Sequence, residues 1–196
     1  ASLSVAEVID LDEVAQDGVR VRAAAGTGSF RRRKKLHKEL RKAQRLIRQL
    51  KEETTDDPQA SSRRIVAARE RAAREREARV AAALKKLAEI AAERERRSKT
   101  NKKKVEKQKE PRTSTTDPDA RIMKMADGGF RPAYNCQIST VAGGQIVVLT
   151  DGKTIGSDRG LARPMLDDVH RRYGKWPKRY LIDGGFNKNE DTEWAA

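Results

Sequence analysis

Apolar residues recur along this chain with two different periods, and the change from one to the other divides it. Leu36, Leu40, Ala43, Ile47 and Leu50 follow at steps of 4, 3, 4 and 3, the spacing that keeps one helical stripe apolar and makes the seam of a coiled coil. Val80, Leu84, Leu87 and Ala91 repeat those steps. Between the two runs, EETTDDPQASS holds Pro58 and several residues that cap or interrupt helices. The pattern predicts two amphipathic helices, the second from about Ser62 to Arg97, folded back as an antiparallel hairpin. From Ser98 to Glu110 the apolar pattern disappears and charge is dense, as in a flexible basic linker that gives way to ordered structure by residue 117.

Elsewhere the period is two. DGVRVRAAAG at Asp17–Gly26 alternates apolar and basic residues, as a strand with one exposed face does. YNCQIST and QIVVLTD read as two strands joined through VAGG, with Gly143 and Gly144 in the turn. LARPMLDDVHRRYG places Leu161, Met165, Leu166 and Val169 at helical spacing and ends on Gly174, a C-terminal cap. KRYLIDGGF is a short apolar strand closed by Asp183. The order is strand, helical hairpin, strand, strand, helix, strand, after a weakly specified helix ahead of the first strand. It is an α/β pattern interrupted after its first strand, with segments 1–30, 31–97, 98–116 and 117–196.

Charge sharpens this division. Residues 31–110 hold 29 Lys and Arg against 13 Asp and Glu, whereas the rest of the chain holds 15 against 16. The net charge of +15 therefore sits on the helical segment, and a polyanion, nucleic acid before membrane, is the partner it implies. Arg31, Arg32, Arg33, Lys34 and Lys35 at the head of the hairpin and Lys102, Lys103 and Lys104 in the linker are the candidate DNA contacts. The plainer reading of such helices is a solvated face held by pairs four residues apart; the charge surplus favours phosphate contacts, a dimer through the apolar seam, or both. No run of about 18 apolar residues occurs, so no membrane span is expected, and no secretory signal opens the chain. One cysteine, Cys136, and two histidines give neither an internal disulfide nor a zinc cluster, and a cytoplasmic setting on the nucleoid is the expectation.

The candidate chemistry lies in the aspartates. The string Asp-Gly-Gly-Phe occurs at Asp127 and again at Asp183. Asp-Gly is a common turn pair, and a turn is the simple reading for Asp17, Asp127 and Asp183 alike. Asp183 differs because an apolar strand leads into it. If the helix at 161–174 is a right-handed crossover, the last strand can lie parallel beside the first and bring Asp17 and Asp183 together. Two carboxylates so placed can hold Mg2+ or Mn2+, hard cations that take carboxylate oxygens and keep waters.

Other residues have quieter readings. Asp117 and Asp119 beside Arg121 suggest a turn with a local ion pair, and Asp158 suggests the cap of the helix that follows it. His37 and His170 lie in charged helical contexts and read as solvated, and Tyr134, Trp176 and Phe186 read as packing.

AQDGVRVRAAAGTGSFRR, STTDPDARIMKMADGGFRPAYNCQIST and YLIDGGFNKNEDTE closely resemble the DDE transposases of bacterial insertion sequences, in the branch with a charged helical insertion after the first strand of an RNase H-like core. The resemblance covers nearly the whole chain, although VAGG stands where this family often carries an acidic turn. It implies a metal-dependent recombinase acting on transposon-end and target DNA, with Asp17 as its first catalytic acid and Asp183 as its second. The third acid of the family is a Glu on a helix well downstream. Here 13 residues follow Asp183, and Glu190 and Glu193 come too early. With Ala1 at its head and no N-terminal DNA-binding helices, the chain is expected to be an incomplete and inactive fragment. The fold expected is thus a partial RNase H-like mixed sheet interrupted by a coiled-coil hairpin. The alternative is a non-catalytic basic coiled-coil protein that binds nucleic acid or itself.

Overall fold

The computed structural model describes residues 10–56, 63–99, 110–143 and 146–195. The chain is mixed α/β and forms two compact units, one of residues 24–120 and one of the stretch up to Ala23 together with Arg121 onward.

The second of these is built on β1 (Glu13–Arg22), β4 (Arg121–Lys124), β5 (Phe130–Val141), β6 (Val147–Lys153) and β7 (Arg179–Leu181). Long β5 organises the sheet. It pairs antiparallel with β1 along one edge, and with β4 and then β6 in succession along the other. On the far side of β1 lies β7, and this pair is parallel, so the sheet is mixed. Asp12 fastens the pair at its start: its carbonyl accepts from Arg179 N at 2.9 Å, and its carboxylate holds Lys175 and Lys178. Hydrogen bonds from those two lysines draw the Asp12 carboxyl down to about 2.

One helix, which runs over Ala162–Tyr173, covers one face of this sheet. Its Ala162, Met165 and Val169 are buried, and it ends on Gly174 at φ +69, whose N–H bonds the His170 carbonyl at 2.7 Å. A left-handed residue is needed at that position, and glycine adopts it without steric cost. Under the helix Leu11, Val14, Val141 and Val148 form a core with Tyr173 and Tyr180, while Leu161, Ala162 and Phe186 form another.

Strand bounds differ from those the sequence pattern predicts. β1 starts at Glu13, so Asp17 is its fifth residue and not its first. β7 stops at Leu181, and Asp183 lies beyond it. β4 has no alternating pattern to announce it, yet it pairs in full with Phe130–Ala133, because the turn at Met125–Gly129 closes it onto β5. The weakly specified leading helix falls largely on residues outside the described ones, as does Gly144.

The unit of residues 24–120 contains β2 (Phe30–Arg31), α1 (Arg33–Asp56), α2 (Arg63–Lys99) and β3 (Thr113–Ser114), with β2 and β3 antiparallel. The covering helix of the other unit is accordingly α3, and Asn189–Ala195 is α4. Leu36 of α1 packs on Val80, Ala83 and Leu87 of α2, and farther along α1 Gln44 bonds Glu77 at 3.0 Å. Contacts therefore advance along α1 as they retreat along α2. Leu36, Ala43, Ile47, Leu50, Val80 and Leu87 are all buried within the single chain. The seam expected to pair two copies is thus already occupied. Residues 57–62 and most of the basic linker lie outside the described residues, while α2 runs to Lys99, past the end expected for it.

Candidate functional site: Asp17 on β1 and Asp183 beyond β7

β1 alternates so that Val14 and Gln16 face α3 and are buried, which sends Ala15, Asp17, Val19 and Val21 to the other face. Val19 and Val21 are 46% and 47% exposed. The apolar half of the DGVRVR alternation is therefore the open face, and Arg20 lies on the covered one. Asp17 is exposed, pairs with Ile138 of β5, and takes the Gly18 N–H on Oδ1 at 2.6 Å. A shallow depression of about 210 Å³ beside it is lined by Ala15, Val19, Ile138 and Thr140.

On β7, Tyr180 turns inward and Leu181 outward, in register with Val14 and Ala15 respectively. Two residues beyond the Ala15–Leu181 pair lie Asp17 on one chain segment and Asp183 on the other. Asp183 remains extended, at φ −78 and ψ 168, and caps a single 3-10 turn, Gly184–Phe186, by accepting Gly185 N–H at 2.7 Å. Phe186, 1% exposed, pins that turn onto Leu161 and Ala162. Asp183 also edges a cavity of about 370 Å³ floored by Ala162, Leu166, Tyr180, Ile182 and Phe186. Each aspartate thus has one oxygen held by a local backbone N–H. Mg2+ and Mn2+ are held through one or two carboxylates, with water and phosphate oxygens completing the shell. Among the described residues no group of three or more His, Cys, Asp or Glu is placed to hold a metal. Glu190 and Glu193 lie exposed on α4, and Glu190 pairs with Lys188.

Behind the carboxylates, on the covered face, runs a polar chain that the sequence reading missed. Tyr180 OH donates to Gln16 Oε1 at 2.6 Å, and Gln16 Nε2 donates to Gln137 Oε1 at 2.7 Å. Gln137 Nε2 then reaches Asp158 Oδ1 at 3.0 Å, and Asn135 Nδ2 reaches the same oxygen at 2.7 Å. Arg20 closes the chain on Asp158 Oδ2 at 3.1 Å and on the Gly156 carbonyl at 2.8 Å. Gln16, Asn135, Gln137 and Ser139 are buried. Burial raises the Asp158 carboxyl, but hydrogen bonds from Asn135, Arg20 and Gln137 outweigh it and hold the group below its ordinary range. Asp158 is therefore not the helix cap expected of it: Leu161 stands at that position, and no side chain caps α3. Gly18 makes the arrangement possible, since a Cβ there would lie 2.5 Å from Asp158 Oδ1 and 2.6 Å from Gln137 Nε2. The residues before and after Asp17 are both fixed from behind, as is the strand that leads to Asp183. The signal was in YNCQIST, whose Asn, Gln and Ser alternate; alternation alone does not say which face is wet.

Asp127 is the turn residue its sequence suggests. It accepts Gly129 N–H at 3.0 Å and pairs with Arg131, and those two contacts, the backbone one first, lower its carboxyl. Asp117 caps its own turn through Asp119 N and Ala120 N, both at 3.2 Å, while Asp119 pairs at 2.7 Å with Lys86 of α2. His170 is not simply solvated: its ring stacks on Trp176 at 4.0 Å and 6°. Among the candidate DNA contacts, Arg31 is engaged by Glu39 and the Gly28 carbonyl, and Arg32 pairs with Glu110 at 3.8 Å. Arg33, Lys34 and Lys35 are exposed, and Lys102, Lys103 and Lys104 lie outside the described residues. Among the described residues no helix is long and apolar enough to cross a membrane. No family model, curated protein or solved structure matches the chain.

Proposed function

We propose that this chain carries part of the catalytic core of a DDE transposase, with Asp17 and Asp183 as two of its metal-holding acids and an RNase H-like sheet as their frame. The observation that supports the reading is the parallel pairing of β1 with β7, whose register ends at Ala15–Leu181, two residues before Asp17 on one segment and Asp183 on the other. Mg2+ or Mn2+ bound there would supply charge stabilisation and a water of lowered pKa for displacement at a phosphodiester. What the chain itself contributes is positioning: backbone N–H groups orient the carboxylates, and the Tyr180–Gln16–Gln137–Asp158 chain holds the strands that bear them. In phosphoryl transfer such positioning is most of the protein's part. In an enzyme of this kind, water and then a DNA 3′-hydroxyl would attack phosphorus. DNA as substrate would place the protein on the nucleoid.

Among the described residues no third acid joins Asp17 and Asp183, so the chain is expected to bind metal but not to cut. Calorimetric titration with Mn2+ should give heat for the natural sequence that is lost in both Asp17→Asn and Asp183→Asn. Equal heats in all three would remove the metal site. Metal-dependent nicking by the purified chain, abolished by Asp17→Ala, would overturn the expectation of inactivity.

A second reading, a non-catalytic basic protein that binds nucleic acid or itself, draws on the 3-10 turn that Asp183 caps. It requires both aspartates to be dispensable for metal affinity, and the same titration decides between the two.

A further inference from the structure

Lys34, Lys38, Arg41, Arg45 and Arg48 follow one another along α1 at steps of 4, 3, 4 and 3. These are the steps of the buried seam that starts at Leu36, set two residues earlier, and two residues are about 160° around a helix by the shorter way. The cations therefore form a continuous stripe opposite the seam. All five are exposed, and none takes part in an ion pair with a described residue. The ion pairs of the unit engage other cations: Arg31 and Arg76 pair with Glu39, Arg32 with Glu110, Arg74 with Glu70, and Lys86 with Glu89 and Asp119. From Arg33 to Lys51 there are nine Lys and Arg and one acid, Glu39, which sits off the stripe. Five like charges in one line repel one another, and the first acid on that line is Glu52, one further step past Arg48.

We propose that this outer face of α1 binds the backbone of duplex DNA. It rests on the helix alone and stands whether or not Asp17 and Asp183 hold a metal. The stripe spans about 21 Å at 1.5 Å per residue. Duplex DNA presents a charge about every 1.7 Å of its axis, both strands counted, so a stripe of that length lies within reach of several phosphates. Single strands are held on stacking aromatics, and α1 has no Phe, Tyr or Trp. A helix lying in a membrane surface needs large apolar residues beside its cations, but those of α1 are buried in the seam, apart from Leu46. A-form RNA offers a deep, narrow major groove and is read mainly from its shallow side, whereas the B-form major groove admits a helix. Contacts from the stripe to phosphate oxygens carry no sequence information, so binding of this kind is independent of sequence.

The test uses the full chain and a mixed-sequence duplex, with affinity measured by fluorescence anisotropy from about 50 to 200 mM salt, the range over which phosphate contacts are most legible. Each lost contact flattens the slope of log K against log salt by about 0.9. The triple variant Lys38→Gln/Arg41→Gln/Arg45→Gln should bind more weakly, with a slope shallower by about 3. The triple variant Arg64→Gln/Arg71→Gln/Arg79→Gln, on exposed positions of α2, removes the same charge and should keep the natural slope. Far-ultraviolet circular dichroism confirms that both variants remain helical. An unchanged slope in the α1 variant overturns the proposal, as does equal flattening in both, which would mean diffuse charge attraction. Tighter, stripe-dependent binding to anionic phospholipid vesicles than to duplex would overturn the choice of DNA.

Discussion

Gly18 decides more than its size suggests. Its missing side chain is the space into which Asp158 and Gln137 reach, and any Cβ would come within 2.5 and 2.6 Å of their polar atoms. Neither neighbour can retreat freely, because each is hydrogen-bonded to others in a buried row. Gly18→Ala should therefore cost about 1–3 kcal/mol, the penalty for stranding buried polar groups, and appear as a lower thermal midpoint. If the outward carboxylates are set from behind, it should also weaken Mn2+ binding, although it touches neither aspartate. Asp158→Ala should have a comparable cost, since it takes the acceptor from the Asn135 amide and one of two acceptors from that of Gln137. Tyr180 adds a pH dependence. Burial pushes its hydroxyl up to about 12, against the opposing hydrogen bond to Ser139. An unfolded tyrosine ionises near 10, so from pH 10 to 12 the unfolded chain gives up a proton that the folded chain keeps. Stability is complete below pH 10 and falls by about 2–3 kcal/mol across that window at 1.36 kcal/mol per unit. Denaturant midpoints of the natural chain and Tyr180→Phe should converge over that range; a constant gap would contradict the assignment.

Among the elements, helices were more legible than strands, for physical reasons. A helical stripe names its own buried side, because one face must pack: the seam from Leu36 to Leu50 and the run of α3 to Gly174 both lie where periodicity put them. A strand's alternation names two faces without saying which is dry. Here tertiary packing reversed the simple assignment: Val19 and Val21 remain open, while Asn135 and Gln137 are buried and bond each other and Asp158, and Ser139 is buried beside the Tyr180 hydroxyl. The candidate site was half legible. The order of strand, helix and strand suggested that Asp17 and Asp183 could meet, but the Tyr180–Gln16–Gln137 chain joins residues as much as 164 positions apart, a pairing no local pattern encodes. Short β2, β3 and β4 owe their pairing to partners across turns and not to their own composition. The reversal gives a direct check. Val21→Thr should change stability by less than about 0.5 kcal/mol, as surface changes do, while Val14→Thr, which buries a hydroxyl against Leu11 and Val148, should cost about 1–3 kcal/mol. Equal costs would mean that the outer sheet face is not open in solution.

At the scale of the molecule, the whole net charge belongs to one of the two units. Residues 24–120 hold 30 Lys and Arg against 15 Asp and Glu, and the remaining residues hold 14 of each. The helical unit therefore folds against its own repulsion, and the sheet unit does not. Along α1 the stripe supplies four consecutive like-charge neighbours at three or four residues, each costing about 0.2–0.5 kcal/mol, or about 1–2 kcal/mol together. Raising salt from about 50 to 200 mM shortens the screening length and relieves that cost. The two units can be watched separately, because both tryptophans, Trp176 and Trp194, belong to the neutral one, whereas the long helices dominate far-ultraviolet dichroism. Added salt should raise the thermal midpoint seen by dichroism and leave the one seen by tryptophan fluorescence nearly fixed. Midpoints that move together would mean that the units melt as one. Duplex DNA should mimic salt at far lower concentration, since bound phosphates neutralise the same stripe, and Lys38→Gln/Arg41→Gln/Arg45→Gln should blunt both effects. A helical unit made less stable by its cations is then best explained as one whose cations are matched by a polyanion when it works.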